Sequence, residues 1–165
     1  MARFERVAHG IGLHLARAEA DVLGSLAAGL AERTAADTDP SADDPVMRRF
    51  APEVSRGDAH VDAEVRGMLR PDLLTLRAER LRDLAGLVRP ETDDAEDVVL
   101  MLDRGEAMRV VEALNDLRLA LAVTVGLDAV ERDEVGEDDE RSDALRLIDA
   151  LAWVQGGLID FVERD

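Results

Sequence analysis

Cysteine, lysine and tyrosine are absent from this chain of 165 residues, and its aromatics amount to one tryptophan and three phenylalanines. Each absence closes off a kind of chemistry. Without cysteine there is no disulfide, no thiolate nucleophile and no cysteine-held metal. Without tyrosine, the serine hydroxyls available as nucleophiles are Ser25, Ser41, Ser55 and Ser142, and no nucleophile elbow or glycine-rich phosphate loop surrounds them. Long hydrophobic runs are missing too. Leu119–Val123 is far too short to cross a bilayer, and Arg3, Glu5 and Arg6 come before any apolar stretch, unlike a signal peptide. A cytoplasmic protein without membrane attachment is the expectation.

What is abundant is negative charge. All 20 basic residues are arginine, 37 acids outnumber them, and the net charge is −17. Such a surface repels phosphate backbones, so direct nucleic-acid binding is not expected. The run Asp128–Asp143 has almost nothing to bury and reads as a solvated linker; the sharper alternative is an acidic arm that mimics a phosphate backbone or docks on a basic partner.

Periodicity predicts the architecture. Asp103–Leu127 is the organising helix: Asp103 and Glu106 make a capping box, and Gly126 supplies a left-handed stop. Val110, Val111, Leu114, Leu117, Leu121 and Val125 define its apolar face. Residues 1–15 fit either one long helix or a hairpin turning at His9-Gly10. Gly10 and Gly12 weigh against the helix, each costing it about 1 kcal/mol. A helix follows from Ala16 to Arg33, and loops are expected over 34–47 and 128–143. Arg48, Arg49 and Phe50 are expected to be extended. A helix capped by Asp58 is expected to bury Val61, Val65, Met68 and Leu69, and Pro71 is expected either to break it or to start the next one. Val98–Leu102 suits a buried strand, and Ser142 is placed to cap the last helix. Gly156-Gly157 inside that helix costs about 2 kcal/mol, which a close approach of another helix or a kink would explain. The prediction is a single, mainly α-helical domain: a bundle of about five helices with a small N-terminal hairpin and a candidate third strand.

The stretch Leu114–Leu127, LNDLRLALAVTVGL, resembles a signature of an actinobacterial family that includes oxidative-stress transcriptional regulators, the AosR family. The N-terminal strand leading to an acidic helix near Glu19, the run Asp44–Phe50 and the closing Trp153-Val154-Gln155 are similar as well. The resemblance implies a regulator or adaptor acting through protein contacts, with a stress sigma factor among the partners it suggests. A thiol switch, which a redox-sensing member needs, is excluded by the missing cysteines.

Candidate chemistry is sparse. His9, His14 and His60 lack the spacing of a helical metal pair. Asp93, Asp94, Glu96 and Asp97 lack the alternate-ligand pattern of a calcium loop. No metal, cofactor or catalytic residue is expected, and the protein reads as a non-enzyme. Asn115, Asp116 and Arg118 interrupt the central helix and are the candidate binding residues. A buried arginine must be paired, so the bland reading has Arg118 bonded to a carboxylate of another helix and Asn115 satisfying loop backbone. The alternative is a small-molecule protein or enzyme in which Arg118 holds a carboxylate or phosphate. Homodimerisation stays open. Trp153 is read as the largest core residue.

Overall fold

A computed structural model describes residues 2–36, 44–52, 57–90, 92, 96–127 and 141–164. Three strands, β1 (Arg3–Val7), β2 (Gly10–Ala16) and β3 (Asp97–Leu102), form an antiparallel sheet in the order β1-β2-β3. Five helices complete the described part: α1 (Arg17–Ala36), α2 (Pro45–Phe50), α3 (Ala59–Leu87), α4 (Arg104–Thr124) and α5 (Ser142–Arg164). The expected five-helix fold with its hairpin and third strand is what forms.

Local chemistry sets the ends of these elements. The hairpin turns at Ala8-His9 rather than His9-Gly10, since Val7 pairs with Gly10 across it. Gly10 is required for another reason: a Cβ there would lie 2.3 Å from the Leu102 carbonyl oxygen where β3 passes. The capping box of α4 is complete, with Asp103 Oδ1 accepting from the Glu106 amide and Glu106 Oε2 from the Asp103 amide, both at 2.8 Å. At the other end Gly126 takes φ +69°. Leu127 N–H then bonds the Ala122 carbonyl and Gly126 N–H the Val123 carbonyl, which together make a Schellman closure.

Register puts Phe4, Leu13 and Leu100 on one face of the sheet, and that face meets the helices. The core continues through Leu81 and Leu84 of α3, Leu114 and Leu117 of α4, and Leu158 and Phe161 of α5. Within it α1 runs chiefly along α3, α4 along α5, and α2 sits on α4.

Several expectations need correction. Arg48, Arg49 and Phe50 are helical, because Asp44 caps α2 by accepting from Val46 and Met47 while Pro45 occupies its first turn. The loop expected over 34–47 is shorter at both ends, and α5 already includes Ser142 and Asp143. Residues 37–43 and 128–140 lie outside the described residues. Pro71 does not break α3; the helix passes through it and forgoes the bond to the Gly67 carbonyl. Val61, Met68 and Leu69 are exposed, whereas Asp62 and Arg70 of the same turns are buried. Strand β3 buries only alternate residues, leaving Val99 and Met101 outside. Leu145 N–H bonds the Arg141 carbonyl, so Arg141 rather than Ser142 stands at the start of α5.

Candidate functional site

The central helix carries two polar clusters on its two flanks. Asp116 has no exposed surface. Its Oδ1 accepts from Arg77 Nη1, and its Oδ2 from Arg80 Nη1 at 3.4 Å. Arg80 Nε reaches Glu112 Oε2, one turn back on α4, at 3.2 Å. The Arg77 guanidinium also lies over the Phe50 ring, 4.7 Å from its centroid. One arginine therefore ties α2, α3 and α4 together. Burial pushes the Asp116 pKa up; Arg77 and Arg80 pull it back without cancelling the rise, and Glu112 adds a smaller upward push.

On the other flank Arg118 Nη1 donates to Gln155 Oε1 of α5 at 2.5 Å, and Gln155 Nε2 donates to the Val111 carbonyl at 3.1 Å. Arg118 Nε is buried without a partner. Arg118 thus bonds a neutral amide, not the carboxylate expected of it. Asn115 is exposed and bonds no loop backbone among the described residues. The three sequence candidates consequently form no common site: Asp116 faces α3, Arg118 faces α5, and Asn115 faces solvent.

Chemically, the Asp116 cluster is closed. Both carboxylate oxygens are used by arginines of the same chain, and a ligand acid would have to displace Asp116. Among the described residues no group of three histidines or acids is placed to hold a metal. Of the acidic loop residues, Asp93 and Asp94 lie outside the described residues.

Sequence reasoning missed Arg77, Arg80 and Gln155. The Arg77–Arg80 spacing puts two cations on neighbouring turns of a helix, but nothing local names an acid on another helix as their partner. It also misplaced Trp153, which is 45% exposed. The Phe4 ring stacks on it, with centroids 5.2 Å apart at 35°. The same Phe4 ring covers Gly157, where a Cβ would come within 2.2 Å of it. The glycine therefore admits an aromatic ring from β1, and no second helix or kink is needed to account for it.

Trp153 borders a groove of about 340 Å³ between α1 and α5, walled by Leu15, Ala18, Val22, Leu147 and Leu151. Among the described residues, Glu19 is the one ionisable side chain lining it. Burial raises the Glu19 pKa, but hydrogen bonds led by the one from the Ala16 amide more than offset this and hold it below the ordinary range. A second concavity of about 310 Å³ lies between α1 and α4, lined by Gly29, Arg33, Leu117 and Thr124 among others. Neither is lined by Asn115, Asp116 or Arg118.

No curated protein and no solved structure matches the chain. A family model does, over residues 1–162, that of the Domain of unknown function (DUF2017), and the chain, matched along nearly its whole length, belongs to that family.

Proposed function

We propose that the protein is a non-enzymatic regulatory or adaptor module that acts through protein–protein contacts, in stress-responsive transcription as the AosR-like stretch Leu114–Leu127 suggests. One observation carries this reading: the buried Asp116 cluster is spent on holding helices together, while large apolar side chains stand outside. Asp116 is enclosed by Arg77 and Arg80, whereas Met68 is 64% exposed, Leu76 53% and Met101 58%. An apolar face left outside along one element is the mark of an interaction surface. The net charge of −17 supports a route to transcription through a second protein, a stress sigma factor being the class the resemblance suggests.

The test is capture from native lysate followed by reconstitution. A stoichiometric complex of the two purified proteins on gel filtration is the expected result. Co-purification of a small molecule, with no protein retained, would overturn it.

A second reading rests on the buried, unpartnered Arg118 Nε. A ligand carboxylate or phosphate reaching it would complete the arginine. In that case millimolar phosphate or small carboxylic acids raise the melting temperature of the wild type but not of Arg118→Lys, whose single ammonium lacks the fork.

A further inference from the structure

We infer that the outer face of α3 is a docking strip for an amphipathic helix of a partner protein, one whose polar edge carries arginine or lysine. The inference rests on the protein-contact reading above and names its surface and its chemistry.

The first turns of α3 are built inside out. A helix on a globular core buries its apolar stripe and exposes its charges. Here Asp62 and Arg70 are buried, Arg66 is tied to Asp62 at 3.5 Å, and Val61, Met68 and Leu69 face outward. The outward row continues past Pro71 to Leu76 and, after Glu79 and Asp83, ends on Leu87; it runs about 40 Å along the helix and is apolar chiefly in its first half. Normal amphipathic order returns only on the inner side, where Leu74, Leu81 and Leu84 enter the core.

Charge selects the occupant. Asp72, Glu79 and Asp83 fall in the same row at seven- and four-residue steps, and all three are exposed. Three arginines of α3 are engaged elsewhere: Arg66 with Asp62, Arg77 with Asp116, and Arg80 with Asp116 and Glu112. Arg82 falls beside the row. The strip is therefore apolar and acidic. Two such strips from two copies would set carboxylates against carboxylates on chains that each carry −17, and anionic lipid or nucleic acid is repelled likewise. A helix with leucine-like residues on one face and cations along its edge satisfies both features. Laid along α3 it makes the helix-in-groove type of contact, anchored at i, i+4 and i+7 positions.

The experiment uses the full chain and a fluorescein-labelled synthetic helix of leucine and lysine with 3.6-residue periodicity, read by anisotropy at physiological salt. A leucine–glutamate helix is the control. Saturable one-to-one binding of the lysine peptide alone is expected. The double variant Leu69→Ser/Leu76→Ser should weaken it at least tenfold, as should Asp72→Lys/Asp83→Lys, while Trp153→Ser leaves it unchanged. All four α3 positions are exposed, so circular dichroism and melting should match wild type and exclude misfolding.

Absence of saturable binding, or equal affinity for wild type and both double variants, overturns the inference. So does a dimer that the serine variant dissociates, which would make a second copy the occupant, or vesicle co-sedimentation lost in that variant, which would make it lipid. If a complex with a captured partner forms equally well with both double variants, the contact reading stands and the strip on α3 is refuted.

Discussion

Gly156 and Gly157 are neighbours on α5 with opposite surroundings. A Cβ at Gly156 meets open space, whereas one at Gly157 meets the Phe4 ring. Gly156→Ala should stabilise by about 1 kcal/mol through helix propensity alone. Gly157→Ala gains the same propensity but must push the ring off its seat, which overpacking data put at about 1–3 kcal/mol. It should therefore melt below Gly156→Ala, with a shift in Trp153 fluorescence as the stacked ring moves. In a Phe4→Ala background the two substitutions should become equivalent, a direct check by double-mutant cycle. The polar residues separate in a similar way. Asp116→Ala strands the Arg77 and Arg80 guanidiniums and should cost about 3–5 kcal/mol. Arg118→Ala strands only an amide and should cost about 1–3 kcal/mol. Urea unfolding that ranks Arg118→Ala as the worse variant would contradict this assignment. The sequence marks Asp116 and Arg118 as unusual because both interrupt an apolar helix. It does not identify their partners, since Arg77, Arg80 and Gln155 lie more than thirty residues away and resemble any other surface arginine or glutamine.

Helix ends are the most legible level of this structure. The α4 capping box and its Gly126 closure are decided by residues within one turn, so composition alone identifies them. The Asp44-Pro45 pair carries the same kind of start signal for α2, but a six-residue helix has no period to confirm it. Asp44 does more than cap. Arg33 grips it with two hydrogen bonds of 2.8 Å. Burial raises its pKa, yet the Arg33 bond and the Val46 and Met47 amides outweigh that and hold it below the usual carboxyl range. A lowered folded-state value means its contribution is complete above the unfolded value, near 3.9, and is lost as pH falls through the folded one. Asp44→Asn keeps the cap and drops the charge. The stability gap between wild type and Asp44→Asn should thus be widest at neutral pH and close below about pH 4. Comparing variants at each pH cancels Asp116, whose raised pKa contributes with the opposite sign. Within α3, Pro71→Ala restores a donor to the Gly67 carbonyl and should stabilise by about 1–3 kcal/mol. The inverted half of α3 was not legible, because periodicity shows that Val61, Val65, Met68 and Leu69 share a face and is silent on which side the core lies.

At the scale of the molecule, charge dominates behaviour in solution. Exposed pairs such as Arg146–Asp143 and Arg164–Asp160 are worth less than about 1 kcal/mol each. Self-repulsion from a net charge of −17 is the larger effect, and salt screens it. The melting temperature should rise by several degrees from low salt to about 0.5 M sodium chloride; a fall would mean that ion pairs outweigh repulsion. Anisotropy with duplex DNA at near-physiological salt should show no sub-micromolar affinity. Fold class was legible because the apolar periods of the four long helices and a glycine-bearing hairpin suffice to define it, although the sequence splits α3 at Pro71 and misses α2. The pairing of β2 with β3 across about half of the chain follows from no short stretch. That pairing, together with the Phe4 ring lying on Gly157, bears on how the chain leaves the ribosome. The leading hairpin emerges first, holding Leu13 and Leu15 uncovered until β3 has been synthesised, and Phe4 has no seat until α5 follows. Contacts this distant in sequence form late and slow folding, so the apolar face of the hairpin stays open to other surfaces until β3 and α5 have joined it.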